Sequence, residues 1–341
     1  MKTILVTGGA GFIGSNFLHL LHRRHPENRI LLLDALTYAG NLDNLPGPLK
    51  YSPNFEFHHG SVTHAELVQN LVRRSDVVIH FAAESHVTKS IYDNSLFFET
   101  DVIGTRVLAD AMVRFPVERF IHISTSEVYG TALCAPMEET HPLNPMSPYA
   151  AAKAGADRLV YAYVQTYNLP AVIVRPFNNY GPFQHLEKAI PNFIVSALMD
   201  QPLTVHGTGE ATRDWMFVED TCQALDAVLH AELREVRGQT INLGTGRDTS
   251  VLEIAEKILD QMGKSRNLIQ FTENRPGQVD RHIASTAKAQ ALLNWKSEVG
   301  LDEGLARTIA FYRDNPAWWE RLLWMKDTWN HLPSLDQVRT G

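Results

Sequence analysis

The chain has 341 residues, 44% hydrophobic and 20% charged, with a formal net charge of −7. That is the composition of a globular protein with a large core, and it excludes disordered, collagen-like and coiled-coil chains. The acidic balance argues against a nucleic-acid partner, no apolar run is long enough for a membrane span, and two cysteines, Cys134 and Cys222, cannot make a disulfide framework or match a zinc spacing.

In chain order, the pattern predicts a strand at Ile4–Thr7, a helix at Gly11–Arg24 and a strand at Arg29–Leu33 ending at Asp34. Met1–Val6 is too short for a signal-peptide core and reads as part of the first strand. Strands follow at Val77–Phe81 and Arg119–Ser124, with helical periodicity over Leu96–Phe115 between them. A helix at Ser147–Tyr167 then leads to a strand at Ala171–Arg175. Strands alternating with helices imply parallel βαβ units, hence an α/β, doubly wound parallel sheet. The second half is less regular, with helices expected at Ile190–Met199, Glu219–His230, Val251–Met262 and Leu301–Arg313. The tail tryptophans, Trp318, Trp319, Trp324 and Trp329, are read as local packing. The 15 histidines show neither H-x-x-x-H nor H-E-x-x-H spacing, so no metal site is expected.

Two segments carry chemistry. Gly8, Gly11 and Gly14 are spaced G-x-x-G-x-x-G between the first strand and the first helix. Gly8 permits a tight turn, Gly11 lets the backbone approach a pyrophosphate, and Gly14 allows close helix–strand packing, with the helix N-terminus facing the anion. Asp34, twenty positions after Gly14, is placed to accept hydrogen bonds from ribose hydroxyls and repel a 2′-phosphate, which favours NAD over NADP. The second segment, Tyr149-Ala150-Ala151-Ala152-Lys153, sets a phenol and an ammonium one helical turn apart, after the strand-end run Ser124-Thr125-Ser126-Glu127. A nearby ammonium is expected to lower the Tyr149 pKa and make it a base for a hydroxyl.

With these residues the sequence resembles the extended short-chain dehydrogenase/reductase superfamily. Within it the chain is most similar to the nucleotide-sugar 4,6-dehydratases, the dTDP-glucose branch especially. The resemblance runs over TGGAGFIGS at 7–15, LTYAGN at 36–41, AAESHV at 82–87, STSEVYG at 124–130, SPYAAAKA at 147–154, NNYGP at 178–182, EKAIP at 187–191, RDW at 213–215 and RPG at 275–277. It implies a Rossmann domain over 1–178 with part of 215–245 returning to it, a mainly substrate-binding lobe over 179–330 and a tail at 331–341. It also implies tightly held NAD, a small-molecule sugar-nucleotide substrate and a homodimer formed by Leu96–Phe115 and Ser147–Tyr167. Cofactor contacts are expected from Gly8, Gly11, Phe12, Ile13, Gly14, Asp34, Ser61, Ala82, Ala83, Ser124, Tyr149 and Lys153. Substrate contacts are expected from Ser85, His86, Asn178, Asn179, Lys188, Thr204, Val205 and His206, with Arg213, Asn242 and Arg281 on the diphosphate. In chemistry, Tyr149 would deprotonate the C4 hydroxyl, Thr125 would hydrogen-bond it, Glu127 would take the C5 proton, and Lys153 would orient the nicotinamide ribose.

The chain departs from the branch in places. Ser126 stands where the branch has the Asp that protonates the departing C6 hydroxyl, so Thr-Ser-Glu is also similar to GDP-mannose 4,6-dehydratases and UDP-glucuronate decarboxylases. Ser61 and Asp101 replace an Asp and an Asn, Ala35 a Lys, and Thr88 and Lys89 an Asp-Arg pair. The readings carried forward are a dehydratase, a 4-epimerase or uronate decarboxylase sharing the C4 oxidation, and a non-catalytic NAD-binding protein. A cytoplasmic location is expected.

Overall fold

Runs rich in Val, Ile and Leu and too short for helices pair as strands; the central ones are covered on both faces, which is why they are largely apolar. Six lie in chain order: β1 (Thr3–Thr7), β2 (Arg29–Asp34), β3 (Phe55–His59), β4 (Val77–His80), β5 (Arg119–Ile123) and β6 (Ala171–Pro176). Thr240–Leu243 returns from the second half to complete a seven-stranded parallel sheet in the order Thr240–Leu243, β6, β5, β4, β1, β2, β3. Helices Phe12–Arg24 and Val218–His230 cover one face through Phe17, Leu18, Leu225 and Val228. Ala65–Arg73, Thr105–Arg114 and Pro148–Tyr167 cover the other through Val68, Leu71, Leu108 and Val160. This is a Rossmann-type doubly wound fold. The computed structural model describes residues 1–274 and 276–326; Arg275, Trp329 and the 331–341 tail lie outside the described residues.

A separate core holds the second lobe together, where Phe193, Ile194, Ile254, Ile258, Leu305 and Ile309 of three helices meet. Trp318 and Trp319 do pack locally: the Trp319 indole donates to Tyr312 O at 2.6 Å and the Trp318 indole to Asn44 Oδ1 at 2.8 Å, whereas Trp324 is 72% exposed. The expected helix over Leu96–Phe115 is interrupted. A short turn at Ser95–Phe97 runs into a π-helical stretch, Phe98–Gly104, before the α-helix Thr105–Arg114. Gly104 sits so close to Val62 that a Cβ there would lie 2.4 Å from Val62 Cγ2. Such π stretches recur at functional sites, and this one carries Asp101 into the interior.

Strand order reverses between β1 and β4, so the loops leaving their carboxyl ends diverge and open a crevice, the usual ligand position in an open α/β sheet. The register aligns Thr7 of β1 with both Leu33 of β2 and His80 of β4, so all three chains exit at one level.

Candidate active site

The crevice is a cavity of about 670 Å³ between the carboxyl edge of the sheet and the second lobe. Its floor is the glycine turn. Gly8 has φ +71, and a Cβ there would lie 2.4 Å from Ala82 N, so the loops after β1 and β4 touch backbone to backbone. A Cβ on Gly14 would lie 2.5 Å from Gly8 O, whereas one on Gly11 would meet only Gly8 O at 3.3 Å. Gly11, Phe12, Ile13 and Gly14 therefore present bare backbone and a helix start to the cavity. Asp34 also lines it; its Oδ2 accepts from Ala10 N at 2.9 Å and its Oδ1 from Leu36 N at 2.9 Å, and burial raises its pKa against those two bonds. Ser61, Ala82, Ala83 and Ser124 complete this side. A backbone cradle that any side chain would fill, with a carboxylate at the second strand end, fits a dinucleotide whose ribose is unphosphorylated.

The opposite wall carries the reactive groups. Thr125 caps the 3-10 turn Ser126–Tyr129 by accepting from Glu127 N at 3.2 Å, which sets Thr125, Ser126 and Glu127 together at the end of β5. Tyr149 and Lys153 come from the helix Pro148–Tyr167, started by Ser147, whose Oγ accepts from Ala150 N. All five line the cavity. Lys153 Nζ donates to Ile123 O at 2.8 Å, which ties it to the end of β5. Burial lowers its pKa, with Asp101 and Asp157 opposing.

The structure corrects the expected state of Tyr149. Burial first, then the charges of Asp101 and Glu127, push its pKa well above the ordinary value, and only a hydrogen bond with Thr125 pulls the other way. Asp101 is itself pushed up to about 7 by burial, against the pull of Lys153.

Residues 5–308 match the family model described as GDP-mannose 4,6 dehydratase. The chain belongs to this family. It is 46% identical over 310 residues to the low-salt glycan biosynthesis protein Agl12 of Haloferax volcanii, covering 91% of this chain and 98% of that protein. It is 40% identical over 323 residues to the dTDP-glucose 4,6-dehydratase of Streptomyces niveus, covering 94% and 95%. The crystal structure of the dTDP-glucose 4,6-dehydratase DesIV from Streptomyces venezuelae, with NAD bound, superposes with a TM-score of 0.90 at 40% identity, covering 94% of this chain and 99% of that one.

On the substrate side of this family member, Ser85, His86, Asn178, Asn179, Lys188, Thr204, His206 and Arg213 all line the cavity. The Asn179 amide is occupied internally, donating to Phe177 O at 3.0 Å and accepting from the Thr221 hydroxyl. Asn178 Oδ1 is buried and has no hydrogen-bond partner among the described residues. Three expected contacts are not in the wall. Val205 alternates to the far face of its strand and is fully buried in the second-lobe core. Asn242 is fully buried behind the sheet edge, where its Oδ1 accepts from Tyr129 Oη at 2.7 Å and its Nδ2 donates to Met137 O at 3.1 Å. Arg281 is half exposed and pairs with Asp248 at 2.7 Å.

Sequence reasoning missed a buried cluster joining the two lobes. Glu187 Oε1 accepts from Tyr38 Oη at 3.0 Å and lies 3.1 Å from Lys188 Nζ, while its Oε2 is 3.4 Å from His86 Nε2. Burial opposes ionisation of Glu187, yet Lys188, His86 and His185 hold its pKa below the ordinary value. Tyr38 and Glu187 stood inside quoted motifs, so the signal was present without a role. Metal-type spacing was also blind to tertiary neighbours: His25, Asp226 and His230 come together, with Arg24 Nη1 on Asp226 Oδ2 at 2.9 Å, as an ion-paired group.

Proposed function

We propose that the protein is an NAD-dependent sugar-nucleotide 4,6-dehydratase, a lyase converting an NDP-hexose to its 4-keto-6-deoxy product. The observation that carries this is the convergence of Thr125, Glu127, Tyr149 and Lys153 on the wall facing the glycine cradle and Asp34. Bound NAD supplies the hydride acceptor and a positive charge, and gives the hydride back at C6. Tyr149 takes the C4 hydroxyl proton, and the positive charge that NAD would supply favours the phenolate that burial, then Asp101 and Glu127, disfavour in the ligand-free chain. Thr125, bonded to that phenol, aligns the C4 oxygen. Once C4 is a ketone the C5 proton is acidic, and Glu127 removes it; that proton ends on the C6 oxygen, which leaves as water. Lys153 fixes the ribose, and Arg213, 5% exposed in the far wall, receives the diphosphate. Asn178 and Lys188 hold the sugar.

Lys89, the cation that a uronate decarboxylase would need for its C6 carboxylate, is already engaged: its Nζ lies 3.8 Å from Glu84 Oε2 and 5.5 Å from the centre of the Tyr38 ring. A homodimer is supported by the exposed Leu96, Phe98, Ile103, Tyr161 and Tyr167 on the two expected interface helices. No helix among the described residues is long and apolar enough to cross a membrane, and a cytoplasmic site is supported by the unpaired thiols Cys134 and Cys222. The test is incubation with a panel of dTDP-, UDP-, GDP- and CDP-hexoses followed by mass analysis. A loss of about 18 mass units marks dehydration by C4-ketone chemistry; an unchanged mass or a loss of carbon dioxide overturns the reading.

A further inference from the structure

Ser126 cannot itself protonate the hydroxyl leaving C6, and among the described residues no second carboxylate of the wall adjoins Glu127 on the end of β5. Behind the two residues lies His282, fully buried and 156 positions away in sequence from Ser126. Its Nε2 is 2.9 Å from the carbonyl oxygen of Gly130. A carbonyl only accepts, so Nε2 carries the ring hydrogen and the Nδ1 lone pair faces the opposite way. There Nδ1 lies 3.4 Å from Ser126 Oγ and 3.8 Å from Glu127 Oε1. The ring packs edge-on against Phe177 at 6.0 Å and cannot drift. Burial favours the neutral ring, with Glu127 pulling the other way and Arg213 and His141 reinforcing neutrality.

We infer that His282 is a positioning residue for the elimination step, its Nδ1 linking Glu127 to Ser126 so that one proton travels from C5 to the departing C6 oxygen. The inference rests on the dehydratase reading. The proton balance closes without an external acid. Glu127 takes the C5 proton and passes it to Nδ1; the resulting imidazolium gives it to Ser126 Oγ as the serine proton goes to the C6 oxygen. The C5–H electron pair becomes the C5=C6 bond, and the C6–O pair leaves with the oxygen as water. Nδ1 returns to its neutral state, and the Gly130 carbonyl holds the Nε2 hydrogen throughout. Bonds of 3.4 to 3.8 Å in a ligand-free site are of the kind that tighten when substrate fills it.

The test compares wild type with His282→Asn and His282→Gln; the Gln variant can keep the bond to Gly130 while losing the acceptor at Nδ1, and it serves if the Asn variant does not fold. Wild-type product showing loss of water establishes the parent reaction first, and without it the dehydratase reading fails before the relay is judged. In the variants, single-turnover C4 oxidation, followed as reduced-cofactor absorbance at 340 nm, should keep its wild-type rate. Product formation should slow by about 10²-fold, the low end for a displaced proton-transfer group, so the 340 nm signal accumulates. In D2O, the C5 position should exchange faster than product forms, because Glu127 still acts while water cannot leave. Ser126→Ala combined with His282→Gln should cost no more than the more severe single change. Wild-type product rates in the variants, or an equal loss of C4 oxidation and elimination, overturn the inference.

Discussion

The two sides of the cavity are built differently. The cofactor side is local: Gly8 to Gly14, Asp34 and the loop after β4 follow strand ends, and their positions are dictated by one sheet register. The substrate side is assembled from distant pieces, with Glu187, Tyr38, His86 and Arg213 drawn from four segments, the first three joined by a buried hydrogen bond and ion pair. A local device can be read from spacing. A tertiary one depends on which side chains the packing turns inward, and spacing does not encode that.

The largest effect should come from the junction of the two sides. Tyr149→Phe removes the group proposed to accept the C4 proton while leaving the cradle intact. Turnover should fall by about 10²- to 10⁴-fold, with bound cofactor per protomer unchanged by absorbance after denaturation. Near-normal turnover would take Tyr149 out of the chemistry.

The cradle should break next, and unevenly. Gly8→Ala combines a left-handed φ of +71 with a Cβ 2.4 Å from Ala82 N, and neither backbone can yield without opening the β1–β4 junction. The left-handed conformation alone costs about 1–2 kcal/mol for a residue with a Cβ, and the clash adds to it. Gly11→Ala meets only one oxygen at 3.3 Å and should fold normally while holding cofactor less well. Thermal melts with and without added NAD separate the two; equal melting losses would contradict the geometry.

Much of this was legible beforehand. The parallel sheet, the glycine turn, Asp34 and the Tyr149/Lys153 pair all follow from periodicity and spacing, because each is set within one βα unit. The π stretch at Phe98–Gly104 was not, since its residues keep helical periodicity, while the close approach of Gly104 to Val62 is a tertiary contact. Asn242 and Arg281, expected on the diphosphate, instead stand outside the cavity wall, because a polar residue at a strand end can equally serve a buried network or a surface pair. His282 carried no local signal: its partners are Ser126, Glu127 and Gly130, all on another segment.

Asp34→Ala tests whether the cofactor side discriminates as well as binds. It removes two acceptors for backbone N–H groups and the charge facing the ribose. Hydrogen bonds to a charged group are worth about 1.5–3 kcal/mol, so NAD affinity should fall by roughly 10- to 100-fold with NADP affected less. An unchanged NAD-to-NADP affinity ratio by calorimetry would show that Asp34 serves only the loop.

A smaller effect separates core from site. His122, fully buried in β5, has neither ring nitrogen paired among the described residues, and burial, then Lys153, lowers its pKa to about 3. The folded value lies below the unfolded value near 6.5, so the unfolded chain binds the extra proton between them. Stability from the neutral ring is therefore full above pH 6.5 and drains as pH falls toward 3, at on the order of 1 kcal/mol per pH unit. His122→Leu keeps the volume and removes that drain. Urea unfolding at pH 8 and pH 5 should show wild type losing more stability than the variant; equal losses would mean the ring is protonated or solvated when folded.

The smallest expected effect concerns two arginines that the sequence placed together on the diphosphate. Arg213 is 5% exposed in the cavity wall, whereas Arg281 is half exposed, pairs with Asp248 and stands outside that wall. A surface ion pair contributes about 0–1 kcal/mol, and here it gives nothing to the ligand. Arg281→Ala should therefore change KM by less than about 2-fold, while Arg213→Ala, removing a desolvated guanidinium from an anion, should raise KM by about 10-fold or more. Measured side by side with the same sugar nucleotide, similar KM changes in both would mean that Arg281 leaves Asp248 and swings into the site when substrate binds. The substrate side would then be completed by ligand rather than by packing, and the contrast with the preformed cofactor side would be sharper still.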